Sequence, residues 1–482
     1  MMHEILVKTT SGYICGREGY AFLGVPYGTA KRFQPAEFAR WDGVKDCTCY
    51  GSQCCQPNYK GRKPADLALE VKGSEDCLNL NIWTPDLDPN ARLPVAIYVH
   101  GGGYQVGSNS HPQQAGDRFA HGDRMVFVSV NYRLGVLGGL YLKDLLGEAY
   151  AQSANNAELD LLLAIRWVRD NAAVFGGNPN NITLLGISAG AKNIGAVMTL
   201  KESEGLFRQV LLESGAMQAL RTPQTASALT RRYLRCLPGI RPEELLTVPV
   251  DTLIRAQAEL CDCVGSTCFF GPVFDEEYFH SDWRERWEAG EGWKGTALIG
   301  TGRNEMFRAV HNPNFVRDRK EEIENAFGDN APTAFRTAGR LMAEGCTEED
   351  AWLRVYSDFM YRAHGDRLAQ RLVSKGCRVW QYSFEFLPAI HGMGFAFTMR
   401  QERNPMSVVS QEEMEKASRL ADCMNRSARQ FILTGNPQCP DFPAWQPSEQ
   451  GSTVKLFYDE TLEVKSANGD FLPETPEYNY GT

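Results

Sequence analysis

Short apolar runs rich in β-branched residues recur along the chain: PVAIYV at residues 94 to 99, MVFVSVN at 125 to 131, ITLLG at 182 to 186, VLLES at 210 to 214, ALIG at 297 to 300 and VWQYSF at 379 to 384. Runs this short, with little polar alternation, predict strands buried on both faces, which means a mostly parallel sheet covered by helices. The stretch from Glu158 to Phe175 is the clearest helix. Leu159, Leu163 and Trp167 recur every four residues and Leu162, Ile165 and Val168 every three, giving a broad apolar face. GGNPNN then stops it through glycine and a proline that cannot continue a helix, and a strand is expected from Ile182. Strands alternating with helices place the chain in the α/β class, with a central twisted sheet flanked by helices. No repeat, low-complexity tract or linker divides it, so residues 1–482 read as one domain.

Composition narrows the function classes. The 482 residues are 43% hydrophobic and 23% charged, with a net charge of −9, which excludes the disordered class. An acidic chain without a Lys/Arg run argues against nucleic acid or an anionic membrane surface as partner. MMHEILVKTTSGY lacks the basic-then-apolar pattern of a signal peptide, and no window approaches the roughly 20 apolar residues of a membrane span. The expectation is a cytoplasmic protein starting near Met1. Fourteen scattered cysteines read mostly as thiols; Cys261, Cys263 and Cys268 offer too few ligands for zinc, with no histidine before His280. No metal and no organic cofactor is expected, and the oligomeric state stays open.

Candidate chemistry begins at NITLLGISAGAKNIG, residues 181 to 195, where Gly186, Ser188 and Gly190 form a Gly-x-Ser-x-Gly pattern between a predicted strand and a predicted helix. That context suits a nucleophile elbow, because flanking glycines remove side chains that would collide across a sharp strand-to-helix turn. YVHGGGYQVG, residues 98 to 107, follows another buried strand, and its glycines can present bare amides to an oxyanion. Gly102 and Gly103 are the expected donors, with Ala189 as the third. A phosphate loop is the competing reading, but neither a Gly-x-x-x-x-Gly-Lys-Ser/Thr run nor a dinucleotide fingerprint is present. Serine needs a histidine base, and the base needs an acid. His364 and His391 both follow Ser188; His391 lies in a loop beyond the VWQYSF strand, where this architecture places its base, whereas His364 sits in a helical pattern. Glu305, in the loop TGRNEMF after ALIG, is the natural acid between serine and histidine.

Together these segments resemble the type-B carboxylesterase family, the α/β-hydrolases that include cholinesterases, bacterial para-nitrobenzyl esterases and the noncatalytic neuroligins. The resemblance also runs through FLGVPYGTAKRFQP, SEDCLNLNIWTP, NYRLGVLGGL, WVRDNAAVFGGNP, LLESGAM and FILTGNP, spanning nearly the whole chain. It implies an α/β-hydrolase fold and a serine carboxylic-ester hydrolase acting through an acyl-enzyme on small to medium, uncharged or apolar esters. The family's Ser-Glu-His order falls on Ser188, Glu305 and His391, its oxyanion amides on Gly102, Gly103 and Ala189, and a supporting serine on Ser214. Tyr104, Ile187, Phe269, Phe270 and Phe386 are candidate pocket residues. Several departures stand out. Ile187 replaces the glutamate common before the serine, removing one influence that favours the imidazolium. No tryptophan stands in the loop between Cys54 and Cys77, so a quaternary ammonium substrate is not expected. Cys54 and Cys77 fall where the family has a disulfide, which a reducing compartment would leave open. The His391 segment has Met393 and Gly394 where an acid often follows His-Gly. An amidase or peptidase using the same triad and a neuroligin-like binding protein are the rival readings.

Overall fold

The structure, a computed structural model, describes residues 5–58, 69–110, 116, 119–120, 122, 124–263, 266–267, 269–401, 409–459, 461–468 and 471–477. Cys268, His3, His111 and His121 lie outside them. Among the described residues, ten strands form one sheet: β1 Ala21–Pro26, β2 Asn79–Trp83, β3 Leu93–Val99, β4 Val126–Val130, β5 Gly177–Ile187, β6 Gln209–Glu213, β7 Thr296–Gly302, β8 Arg378–Phe384, β9 Val454–Tyr458 and β10 Glu463–Ser466. Their order across the sheet is β10-β9-β8-β7-β6-β5-β3-β4-β2-β1. The pairs from β4 through β9 are parallel, and antiparallel strands close both edges.

Burial on both faces follows the period of two. Val95, Ile97 and Val99 of β3, Val210 and Leu212 of β6 and Ile299 of β7 point into one core, while Ala96, Tyr98, Leu211 and Leu298 point into the other. Helices α1 (Asn156–Asn171) and α2 (Ala189–Val197) cover the first side, and α5 (Met414–Thr434) covers the second. Two further helices, α3 (Ala363–Ser374) and α4 (Met393–Thr398), flank β8 in the chain.

The predicted helix appears as α1 followed by a 3-10 turn at Ala172–Phe175. Its buried face includes Leu161, Leu162, Ile165, Trp167 and Val168, with Leu159 and Leu163 only half-buried. Asp160 is also buried because Arg133 meets it at 2.7 Å. GGNPNN ends the helix at Gly176, in the left-handed region, yet the strand already starts at Gly177 rather than Ile182. Pro179 offers no ladder donor, and the pairing with β3 skips from Leu93↔Gly177 to Val95↔Ile182.

Parallel strands bring their carboxyl ends to one edge. There β5, β6, β7 and β8 stop at Ile187, Glu213, Gly302 and Phe384, so the loops carrying Ser188, Ser214, Glu305 and His391 leave from the same side. No described helix is long and apolar enough to cross a membrane.

Candidate active site

Ser188 has φ 57 and ψ −123, outside the regions an L-residue prefers, at the turn from β5 into α2. The turn is possible because its neighbours are glycines. A Cβ at Gly186 would fall 2.7 Å from the Ala191 amide, and one at Gly190 would fall 2.2 Å from the Val99 carbonyl. The Ser188 amide donates to the Glu213 carbonyl at 2.9 Å, and its carbonyl accepts from Lys192 at 2.9 Å, so backbone bonds hold the strained residue on both sides.

Glu305 is buried, and both of its carboxylate oxygens are engaged. Oε1 accepts from the Ser214 hydroxyl and the Gly302 amide, both at 2.6 Å, while Oε2 meets His391 Nδ1 at 2.5 Å. That bond makes Nδ1 the donor and leaves Nε2 for proton transfer. Asn304 ties the two loops together: its amide donates to Ala389 at 3.0 Å and its side chain to Pro388 at 3.0 Å. Ser188 Oγ and His391 share no hydrogen bond, although Ser188 is anchored to Glu213, the residue before Ser214. His364 sits elsewhere, buried on α3, donating Nε2–H to the Phe359 carbonyl at 2.8 Å; burial pushes its pKa down to about 3. His100 is likewise kept neutral by burial, pushed down to about 4, and stacks on Tyr132 at 4.6 Å.

The glycine loop abuts the elbow: a Cβ at Gly101 would lie 3.2 Å from Ser188 Cβ. Gly102 has φ +118 with its Cβ position 1.9 Å from the Val106 carbonyl oxygen, so only glycine fits; Gly103 has φ +61. Among the described residues, the amides of Gly102, Gly103 and Ala189 donate to no acceptor. Ala189 also opens α2, whose dipole puts partial positive charge at that end.

The aromatic residues named for the pocket are all buried. Phe269 lies under the Arg232 guanidinium at 5.0 Å, Phe270 packs beside Gly139, and Phe386 packs on Phe397 at 5.7 Å. The Tyr104 carbonyl accepts from Gly135 at 2.6 Å. Cys54 and Cys77 are buried free thiols, and the Leu134 amide donates to Cys54 Sγ at 3.3 Å. Glu276, His280 and Asp282 bring ligand atoms within 4.8 Å of one another at the surface, where Asp282 is already paired with Arg286 at 2.8 Å.

Two titratable residues beside the site escape a reading of motifs. Glu213 is buried on β6 directly opposite Ile187 in register, so an acid stands one strand over from the residue that precedes Ser188. Its Oε2 accepts from the Tyr382 hydroxyl, and Gly394 makes room for it, since a Cβ there would fall 2.7 Å from Oε1. Burial pushes the Glu213 carboxyl up to about 8; the Tyr382 bond opposes that rise and the charge of Glu305 adds to it. The signal was present in LLESGAM, but pairing with Ile187 exists only once the strands are registered. The second residue is Lys192, buried on α2 beside Tyr361, whose ring lies 4.5 Å from that of His391.

The sequence model described as "Carboxylesterase family" matches residues 4–471. The chain is 31% identical to the phenmedipham hydrolase of Pseudarthrobacter oxydans, covering 96% of this chain and 97% of that protein. It is 28% identical to the para-nitrobenzyl esterase of Bacillus subtilis (strain 168), covering 96% of each. Among solved structures, a Geobacillus stearothermophilus carboxylesterase superposes with a TM-score of 0.82 at 32% identity, covering 96% of this chain and 97% of that one.

Proposed function

Because the chain belongs to the carboxylesterase family and is a carboxylic ester hydrolase with the α/β-hydrolase fold, we propose that Ser188 is its nucleophile, His391 its base and Glu305 its acid. His391 Nε2 takes the proton of Ser188 Oγ as it attacks the ester carbonyl. Glu305 holds the imidazole in the tautomer with Nδ1–H and stabilises the imidazolium that forms. The Gly102, Gly103 and Ala189 amides receive the oxyanion, and their lack of other acceptors means none must be broken first. His391 then protonates the departing alcohol, and water repeats the sequence on the acyl-enzyme. Ser214 supports the acid by filling Oε1. The whole chain acts as one hydrolase unit on small to medium esters. In this reading it works in the cytoplasm, where Cys54 and Cys77 would stay reduced.

The observation that carries this reading is the hydrogen-bonded line Ser214–Glu305–His391 on the sheet edge where Ser188 turns. Turnover of a short-chain nitrophenyl ester tests it. Ser188→Ala is expected to fold as the parent does and to lose hydrolysis; retained turnover would move the nucleophile elsewhere.

A further inference from the structure

Three buried cations among the described residues meet carboxylates, which offsets the cost of removing charge from water. Arg133 pairs with Asp160 at 2.7 Å, Arg362 with Asp358 at 2.9 Å and Lys455 with Asp366 at 2.8 Å. Lys192 departs from this pattern. It is 1% exposed, yet among the described residues no carboxylate pairs with it. Its ammonium has one long bond, 3.4 Å to the Thr267 carbonyl, and the face of Tyr361 at 4.9 Å. One carbonyl and one ring leave much of the hydration of an ammonium unreplaced.

Its neighbours are those of the reaction centre. Lys192 stands one turn beyond Ser188 on α2. Tyr361 lies against His391, with ring centroids 4.5 Å apart, and its hydroxyl meets Thr267 Oγ1 at 3.2 Å. Thr267 in turn closes on the glycine loop, 3.7 Å from the position a Gly103 Cβ would occupy. The ammonium therefore touches the two residues that adjoin the base and an oxyanion amide.

We infer that Lys192 is the counter-ion for an anionic substrate group, making this an esterase for half-esters whose acyl part carries a second carboxylate. The inference rests on the assignment of Ser188 as nucleophile. The alcohol departs past His391, whereas the acyl group stays bonded to Ser188 on the helix that carries Lys192. A carboxylate on the acyl part thus keeps its partner through both halves of the reaction. The expectation of an uncharged ester then applies to the alcohol part. Binding such an acyl group gives Lys192 the charge-assisted hydrogen bond that the protein does not supply.

The test compares 4-nitrophenyl acetate, mono-4-nitrophenyl succinate and 4-acetoxybenzoate, with kcat/KM measured for the parent, Lys192→Met and Ser188→Ala. The parent is expected to favour the succinate half-ester. In Lys192→Met the ratio of succinate to acetate kcat/KM is expected to fall about thirtyfold, mainly through KM, as for loss of one buried charge-assisted pair. Lys192→Met is also expected to melt at or above the parent temperature, because an unsatisfied buried charge is replaced by a side chain of similar length. An unchanged ratio, a lower melting temperature, or a preference for 4-acetoxybenzoate, whose charge is on the leaving group, overturns the inference. If the acetate is cleaved and Ser188→Ala abolishes it, those failures concern Lys192 alone. If Ser188→Ala cleaves like the parent, the nucleophile assignment has failed and the counter-ion inference fails with it.

Discussion

The two halves of the site are finished to different degrees. On the acid side, Glu305 uses both oxygens on three partners, Ser214, Gly302 and His391, and the loops carrying the acid and the base are tied by Asn304. On the donor side, among the described residues, the amides of Gly102, Gly103 and Ala189 have no acceptor and the ammonium of Lys192 has no carboxylate. One half is closed by the protein, and the other is left for negative charge to close. The difference follows from when each charge exists. In the proposed mechanism Glu305 supports His391 in every step and needs permanent partners, whereas the oxyanion exists only during reaction, so its donors work best when held free by strained backbone.

The largest expected break is on the closed side. Glu305→Gln keeps the shape but presents the wrong partner to His391 Nδ1, and kcat is expected to fall about 10⁴-fold; steady-state kinetics on a nitrophenyl ester measure it, and a loss below tenfold would show that the acid does not orient the base. On the open side, Gly102→Ala forces a methyl against the Val106 carbonyl, 1.9 Å away, at φ +118. The loop must move, and kcat is expected to fall about 10²–10³-fold, the scale of one lost oxyanion donor. An unchanged kcat would remove Gly102 from the hole.

The smallest effect concerns Glu213, which lies between the halves. Its carboxyl is raised in the fold from an ordinary 4.5 to about 8, so the native protein holds a proton that the unfolded chain has released across that interval. Stability from the protonated form is fully present below pH 4.5 and is lost as pH rises through about 8. Glu213→Gln keeps an acceptor for the Tyr382 hydroxyl and removes the titration. The stability of the parent relative to this variant is expected to fall by about 1.4 kcal/mol per pH unit within the interval. Urea unfolding across that range measures it, and parallel pH profiles would mean that Glu213 is ionised in the fold.

Much of the frame was legible because parallel strands must be buried on both faces and so appear as unbroken apolar runs. Ser188, Glu305 and His391 could be proposed from chain order because each follows a strand toward the same sheet edge. What escaped depended on partners distant in sequence. Glu213 stands in LLESGAM, but its place beside Ile187 needs the register of β5 against β6 and the space left by Gly394. Lys192 reads as an ordinary helix lysine until Thr267, 75 residues later, and Tyr361 cover it. The aromatics were visible as apolar residues, but their directions were not: Phe269 and Phe386 pack on Arg232 and Phe397. GNPNN looked like a pure turn because proline and asparagine are poor strand formers, yet β5 begins there with a skipped register.

The most direct measurement is mass mapping of the protein after reaction with an uncharged nitrophenyl phosphonate, which mimics the tetrahedral intermediate and stays bonded to the nucleophile. One phosphonyl group is expected on the peptide bearing Ser188, formed in step with loss of esterase activity and absent in Ser188→Ala. Modification of another residue, with activity lost at the same rate, would contradict the assignment of Ser188.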